Sequence, residues 1–232
     1  MESQAVARRP VAVLFDFGGT LDAPGVTWKE RAWRLYREAG AVADPAVFDP
    51  VFYKADDALV GAVPDDLPLT ETVRRVFAGV SAGLGVADPR LTTRLADRFV
   101  DDARRHLAAS AVVLGRLAAR HRLGIVSNFY GNLAAICAEV GLAPLLGVVA
   151  DSTVIGAGKP DARIFRHALN ALGVTPAAAT FVGDSRPRDR EGARALGMSH
   201  VWLVDASVPT TEPCCAGDPV IRTLADLEAL LA

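Results

Sequence analysis

Five short apolar runs dictate what this chain can become: Val11–Phe15, Leu123–Val126, Val148–Ala150, Thr180–Val182 and Val201–Val204. They are rich in β-branched residues, and most are nearly continuous rather than alternating. Runs of that kind suit strands covered on both faces, the condition of a parallel sheet. The last four are separated by stretches with helical spacing. Asn132–Val140 places Leu133, Ile136, Cys137 and Val140 on one face, and Asp161–Leu172 does the same with Ile164, Phe165, Ala168, Leu169 and Leu172. Arg188–Leu196 and Leu224–Leu231 show the same spacing. This alternation predicts an α/β fold built on a doubly wound parallel sheet.

The first two runs break the alternation. About 107 residues separate Phe15 from Leu123, far more than a crossover helix needs. Helical periodicity fills the gap, over Trp28–Ala39, Ala46–Val60, Glu71–Ala82 and Pro89–Ala109. Apolar positions such as Val73, Val76, Phe77, Val80, Leu95 and Phe99 recur at the spacing of one helix face. Pro64, Pro68 and the segment Gly83–Gly85 punctuate it. We expect a small helical domain over residues 23–105, inserted into an α/β core domain formed by residues 1–22 and 106–232.

A chain of 232 residues can bury roughly 70% of its unfolded surface. Its 51% hydrophobic and 22% charged content excludes disorder. Lys and Arg total 25 against 27 Asp and Glu, for a net charge of −2, which leaves no footprint for nucleic acid or an anionic membrane. No window approaches the ~18 apolar residues of a membrane span. Arg8, Arg9 and Pro10 precede only five apolar residues, too few for a secretion signal. Cys137, Cys214 and Cys215 cannot build a disulfide framework and read as free thiols of a reducing compartment. A cytoplasmic protein is expected, as a monomer or homodimer.

Four segments carry chemistry, each at the end of an apolar run. In Phe15-Asp16-Phe17-Gly18-Gly19-Thr20-Leu21 a carboxylate ends the first strand, and two glycines let backbone amides approach an anion. Capping of the turn by Asp16 is the plainer reading. Ile125-Val126-Ser127-Asn128 ends a strand in a hydroxyl that can bond a phosphate oxygen or merely start a turn. Gly158-Lys159-Pro160-Asp161 carries one of only three lysines, the others being Lys29 and Lys54. An ammonium there is either a solvated charge or a partner for a phosphate. Phe181-Val182-Gly183-Asp184-Ser185 is followed by Asp189, and two or three carboxylates converging at strand ends suit Mg²⁺. Like charges a few ångströms apart repel by roughly 4 kcal/mol at an effective dielectric of ~20, a penalty that a divalent cation removes.

In this order the segments resemble the haloacid dehalogenase-like (HAD) hydrolase superfamily, over Val11 to about Leu231. The resemblance implies a HAD-like Rossmannoid core, with the helical insertion as a type-1 cap. It makes Asp16 the nucleophile, Ser127 a phosphate-binding residue, and Lys159 the lysine of the third motif. Asp184 and Asp189 become the acidic fourth motif. The implied metal set is Asp16, the carbonyl of Gly18, Asp184 and Asp189, holding Mg²⁺. The implied substrate contacts are Gly18, Gly19, Thr20, Ser127, Asn128 and Lys159. The partner is then a small phosphorylated metabolite, hydrolysed through an aspartyl-phosphate.

One position departs from that pattern. Phosphatases of the family usually carry a second Asp two residues after the nucleophile as general acid/base, and this chain has Gly18. Such help is typically worth ~10²–10⁴ in rate. Asp22, a residue of the cap, water or the substrate itself remain as proton sources. Two alternatives stay open: a phosphonate C–P hydrolase using a cap lysine such as Lys54, and a catalytically degenerate relative that binds a phosphorylated ligand or a protein. The four histidines show no ligand spacing. Trp28, Trp33, Phe52 and Tyr53 read as core packing, with lining of the pocket from the cap side as the alternative; Phe129 and Tyr130, just after Ser127-Asn128, are candidates to border the pocket, and Arg186 and Arg188 to contact a second anionic group.

Overall fold

The computed structural model describes residues 10–41, 44–208 and 218–231. Arg8, Arg9, Cys214 and Cys215 lie outside the described residues. All five expected strands form, as β1 (Ala12–Phe15), β2 (Arg122–Ser127), β3 (Val148–Asp151), β4 (Ala179–Gly183) and β5 (Ser199–Leu203). A sixth, β6 (Val220–Ile221), is too short to show as an apolar run. The order is β3-β2-β1-β4-β5-β6, and every pairing is parallel. All four residues of β1 are fully buried. Val13 and Phe15 enter one apolar cluster, while Ala12 and Leu14 enter another. A strand apolar on both sides is what a sheet covered on both faces requires.

The chain runs outward from β1 through β2 to β3, then returns to place β4, β5 and β6 on the other side. The winding therefore reverses between β1 and β4. In open α/β sheets the carboxyl ends of the strands part at that point and leave a crevice. Asp16 follows β1 there, Ser127 ends β2, and Asp184 follows β4.

Between β1 and β2 stand α1 (Trp28–Glu38), α2 (Pro45–Asp57), α3 (Leu69–Leu84) and α4 (Pro89–Leu117). Three of the four starts are capped as their sequence suggests. Thr27, Asp44 and Asp88 accept from amides of the first turn, and Pro45 and Pro89 follow the latter two. The expected end of the last helix at Ala109 is too early. No proline interrupts the next eight residues, and Ser110, Val113, Leu114 and Leu117 continue the buried stripe. The expected boundary between residues 105 and 106 thus falls inside α4, with no linker to mark it.

Past β2 come α5 (Leu133–Glu139), α6 (Ser152–Ile155), α7 (Ala162–Leu172), α8 (Glu191–Ala195) and α9 (Asp226–Leu230). Pro160 does not open α7. Asp161 caps it by accepting from the Arg163 amide. The single helix expected over Arg188–Leu196 is instead a wide π-type turn, Arg186–Arg190, leading into α8. That turn swings Asp189 inward, where its side chain is fully buried. Among the described residues no helix is long and apolar enough to cross a membrane.

Candidate active site

The ends of β1, β2 and β4 bring three of the four motifs together; the third is not at a strand end as expected, because α6 intervenes after β3 and the segment beyond it carries Lys159 to the site. The Lys159 ammonium lies 2.7 Å from Asp16 Oδ1 and 2.7 Å from Asp189 Oδ1. Ser127 Oγ donates to Asp16 Oδ1 at 2.7 Å, and the Phe17 amide donates to the same oxygen at 2.7 Å. Among the described residues nothing donates to Asp16 Oδ2. Asp189 Oδ2 accepts from the Ser185 amide at 2.9 Å. Asp184 Oδ1 accepts from the Thr20 hydroxyl at 3.1 Å, and the Trp202 indole donates to the Asp184 carbonyl at 3.0 Å.

Three largely buried carboxylates and one buried ammonium leave an excess of negative charge. Burial pushes Asp184 up to about 8, and the charges of Asp16 and Asp189 add to this against Lys159. Asp189 is raised to about 6, again chiefly by burial, which Lys159 opposes. For Lys159 burial works downward, but the two carboxylates outweigh it and the net direction is up. The ammonium is thus held charged. One oxygen from each of Asp16, Asp184 and Asp189 lies within 4.8 Å of the others. Hard oxygen donors, a net negative site and partial neutralisation by one lysine suit a small divalent cation such as Mg²⁺.

Three residues expected to meet substrate have their polar groups engaged by the protein. The Gly19 amide donates to Asp22 Oδ1 at 2.7 Å. Gly19 has φ +88°, and a Cβ there would stand 2.7 Å from Asp184 Oδ2, so only glycine fits. The Thr20 hydroxyl is buried against Asp184. Asn128 braces the Lys159 backbone, donating to its carbonyl at 3.1 Å and accepting from its amide at 2.6 Å. Gly19 and Thr20 brace the site through these bonds, while Asn128 both braces Lys159 and faces the crevice. Gly18, Ser127, Asn128 and Lys159 do line the open crevice with Asp16 and Asp184.

The empty position at Gly18 is filled from α1. A Cβ on Gly18 would meet Trp28 Nε1 at 3.2 Å and Cδ1 at 3.3 Å. The indole is fixed by its N–H bond to Asp22 Oδ2 at 2.6 Å and by edge-on packing against Phe99 and Phe129. Arg31 donates to the same Asp22 oxygen at 2.8 Å and reaches Asp102 at 3.1 Å. Asp22 is fully buried under three donors, so it is not poised to hand a proton to a substrate. Trp28 and Arg31 form a buried brace on Asp22, tied outward to the half-exposed Asp102, that no motif announced. Only the proximity of Trp28 to the glycine pair hinted at it.

A cavity of about 980 Å³ opens above these groups. Besides the strand ends it is lined by Trp28, Lys29, Phe52, Tyr53 and Asp56 from the helical insertion, by Phe129 and Tyr130 after β2, and by Arg188. Trp33 lies elsewhere, under the Arg37 guanidinium. Arg186 sits over Trp202. Lys54 is exposed and does not line the cavity, which removes it as an imine-forming residue. Lys29 does line it, but its ammonium is paired with Asp49. Burial lowers Lys29, yet Asp49, Tyr53 and Glu30 outweigh this and raise it, which disfavours the free amine. Cys137 is buried, and its thiol is pushed up to about 12 by burial, out of reach of thiolate chemistry.

A family model described as haloacid dehalogenase-like hydrolase matches residues 11–197. The chain belongs to this family. It is 35% identical over 153 residues to haloacid dehalogenase-like hydrolase domain-containing protein 3 of Mus musculus, covering 63% of this chain and 61% of that protein. It is 36% identical over 209 residues to phosphoglycolate phosphatase of Rhodospirillum rubrum, covering 84% and 79%. The chain thus spans about three-fifths of the first of these relatives, and more of the second. Among solved structures, a HAD phosphatase from Thermococcus onnurineus superposes with TM-score 0.56 at 24% identity, covering 95% of this chain and 97% of that one. The L-2-haloacid dehalogenase from Xanthobacter autotrophicus gives 0.60 at 21%, covering 96% and 98%. At these identities the two structures speak for the fold alone.

Proposed function

We propose that this hydrolase acts on a small phosphomonoester with Mg²⁺, through an aspartyl-phosphate on Asp16. The carrying observation is the Lys159 ammonium bridging Asp16 and Asp189 at 2.7 Å each, beside Asp184, under a cavity sized for a metabolite. The acid trio disfavours dehalogenation at carbon, which needs no metal. The phosphatase name of the Rhodospirillum rubrum relative points the same way.

Asp16 Oδ1 is held by Ser127, Phe17 and Lys159, which leaves Oδ2 to attack phosphorus. Lys159 and Ser127 then face the phosphoryl oxygens and offset their charge. Asp16, the Gly18 carbonyl, Asp184 and Asp189 would hold Mg²⁺, and the chemistry it would supply there is neutralisation of phosphoryl charge. Asp189 keeps Lys159 in place, and Asn128 fixes its backbone. We read residues 23–105 as the cap, whose aromatic lining excludes water and selects the leaving group. A phosphonate route lacks a suitable amine, since Lys54 is off the cavity and Lys29 is tied to Asp49.

A screen of phosphorylated metabolites with and without Mg²⁺ tests this reading. Wild type is expected to release phosphate from at least one of them only with the metal, and Asp16→Asn to release none. Metal-independent turnover, or turnover that survives Asp16→Asn, would refute it.

A further inference from the structure

An alkoxide leaves phosphorus slowly unless it is protonated as the bond breaks. The first motif cannot supply that proton here. The space beside Gly18 holds the Trp28 indole, and Asp22 lies buried under three donors. Besides Asp16 and Asp184, the acids that line the cavity are Glu30, Asp56 and Asp57. Glu30 is paired with Arg34 at 2.9 Å, and Asp57 is exposed. Asp56 is half-buried in the last turn of α2. Tyr130 donates its hydroxyl to Asp56 Oδ1, and among the described residues nothing donates to Oδ2.

Tyr130 is itself held at several points. Its ring packs 4.7 Å from Phe129 and 6.3 Å from the Trp28 indole, and its carbonyl accepts from the Gly61 amide at 3.3 Å. A continuous ladder of rings therefore joins Asp56 to the indole that covers Gly18.

We infer that Asp56, positioned by Tyr130, is the general acid that protonates the leaving group in place of the missing motif-one residue. The inference rests on the phosphatase reading above. Burial raises the Asp56 carboxyl, and the nearby Asp57 charge adds to this, while the Tyr130 bond and the Arg188 charge oppose it. The protonated form is thereby favoured over that of an exposed aspartate. As Asp16 Oδ2 bonds to phosphorus, the P–O bond to the leaving group breaks and that oxygen takes the Asp56 proton. The Asp56 carboxylate then accepts a proton from the water that attacks the aspartyl-phosphate. Phosphate and the Asp16 carboxylate are released, and Asp56 is protonated again.

Leaving-group dependence tests the role. The measurement is kcat/KM, which reports the steps through phosphoryl transfer to Asp16. It is taken with Mg²⁺ for para-nitrophenyl phosphate, whose leaving group needs no proton, and for an alkyl phosphate that the wild type turns over. Asp56→Asn should lower the alkyl-to-aryl ratio by about 10²–10⁴-fold. Asp65→Asn, at an exposed position off the cavity, should leave the ratio unchanged, and Tyr130→Phe should lower it less than Asp56→Asn does. Inhibition by inorganic phosphate and the thermal midpoint report whether each variant keeps its site and fold. An equal loss on both substrates in Asp56→Asn, or no loss, overturns the assignment. A wild type inactive on both substrates removes the phosphatase reading and this assignment with it, and Asp16→Asn activity equal to wild type does the same.

Discussion

At Gly18 a side chain would compete with the Trp28 indole for space. A substitution that restores the acid there would push on the Trp28 indole at 3.2 Å. Gly18→Asp is therefore expected to lose about 1–3 kcal/mol of stability by overpacking and to gain no kcat/KM on alkyl phosphates. A ten-fold or larger gain at an unchanged thermal midpoint would show that the indole does not hold this position. Asp184 supports a prediction of opposite character. Burial and two neighbouring carboxylates raise it to about 8, so without metal the folded state binds a proton that the unfolded state releases near pH 4. The unfolded chain then binds fewer protons between roughly pH 4 and 8, and stability falls as pH rises through that window. Urea denaturation of metal-free protein should show this decline, and it should be weaker in Asp184→Asn and with Mg²⁺ added. A decline of the same size in all three would assign it to other groups.

Among the elements, α1 does more than its sequence suggests. It presents Trp28 to the site, and one turn later Arg31 closes on Asp22 at 2.8 Å, with both side chains nearly or fully out of water. Arg31→Met leaves a buried carboxylate without its cation, an imbalance that costs about 3–5 kcal/mol. For a chain of this size the thermal midpoint should drop by roughly 2–4 °C per kcal/mol. An unchanged midpoint would mean that the Arg31–Asp22 pair does not support the fold. Strands and helices were legible in the sequence because both periods are strong there. The continuous runs became β1 to β5, and the apolar stripes became α1 to α5 and α7. Ends were less legible. Nothing in Ala108-Ala109-Ser110-Ala111 distinguishes a helix that stops from one that continues, and tertiary burial of Val113, Leu114 and Leu117 decided it. The turn at Arg186–Arg190 was hidden for a related reason, since bringing Asp189 to Lys159 takes a wider turn than an α-helix offers.

Across the whole molecule, the residues that converge lie at strand ends or in the segments just past them. Asp16, Ser127 and Asp184 end apolar runs and are visible in sequence for that reason, whereas Lys159 and Asp189 lie eight and six residues past β3 and β4 and were legible through the order of the motifs. Residues that act from the helical insertion leave no such trace. Asp56 and Trp28 sit on amphipathic helices where an acid or an aromatic is ordinary, and only the fold brings them over the crevice. Gly19 and Thr20 also follow the first strand, but sequence does not say which way a polar group turns, and theirs turn to Asp22 and Asp184. The most direct test is to incubate the protein with Mg²⁺ and a radiolabelled phosphoester, quench it in acid, and map the bound label. Label on the peptide that contains Asp16, labile to base and absent from Asp16→Asn, is the predicted result. Phosphate release without such label, or label retained in Asp16→Asn, would contradict it.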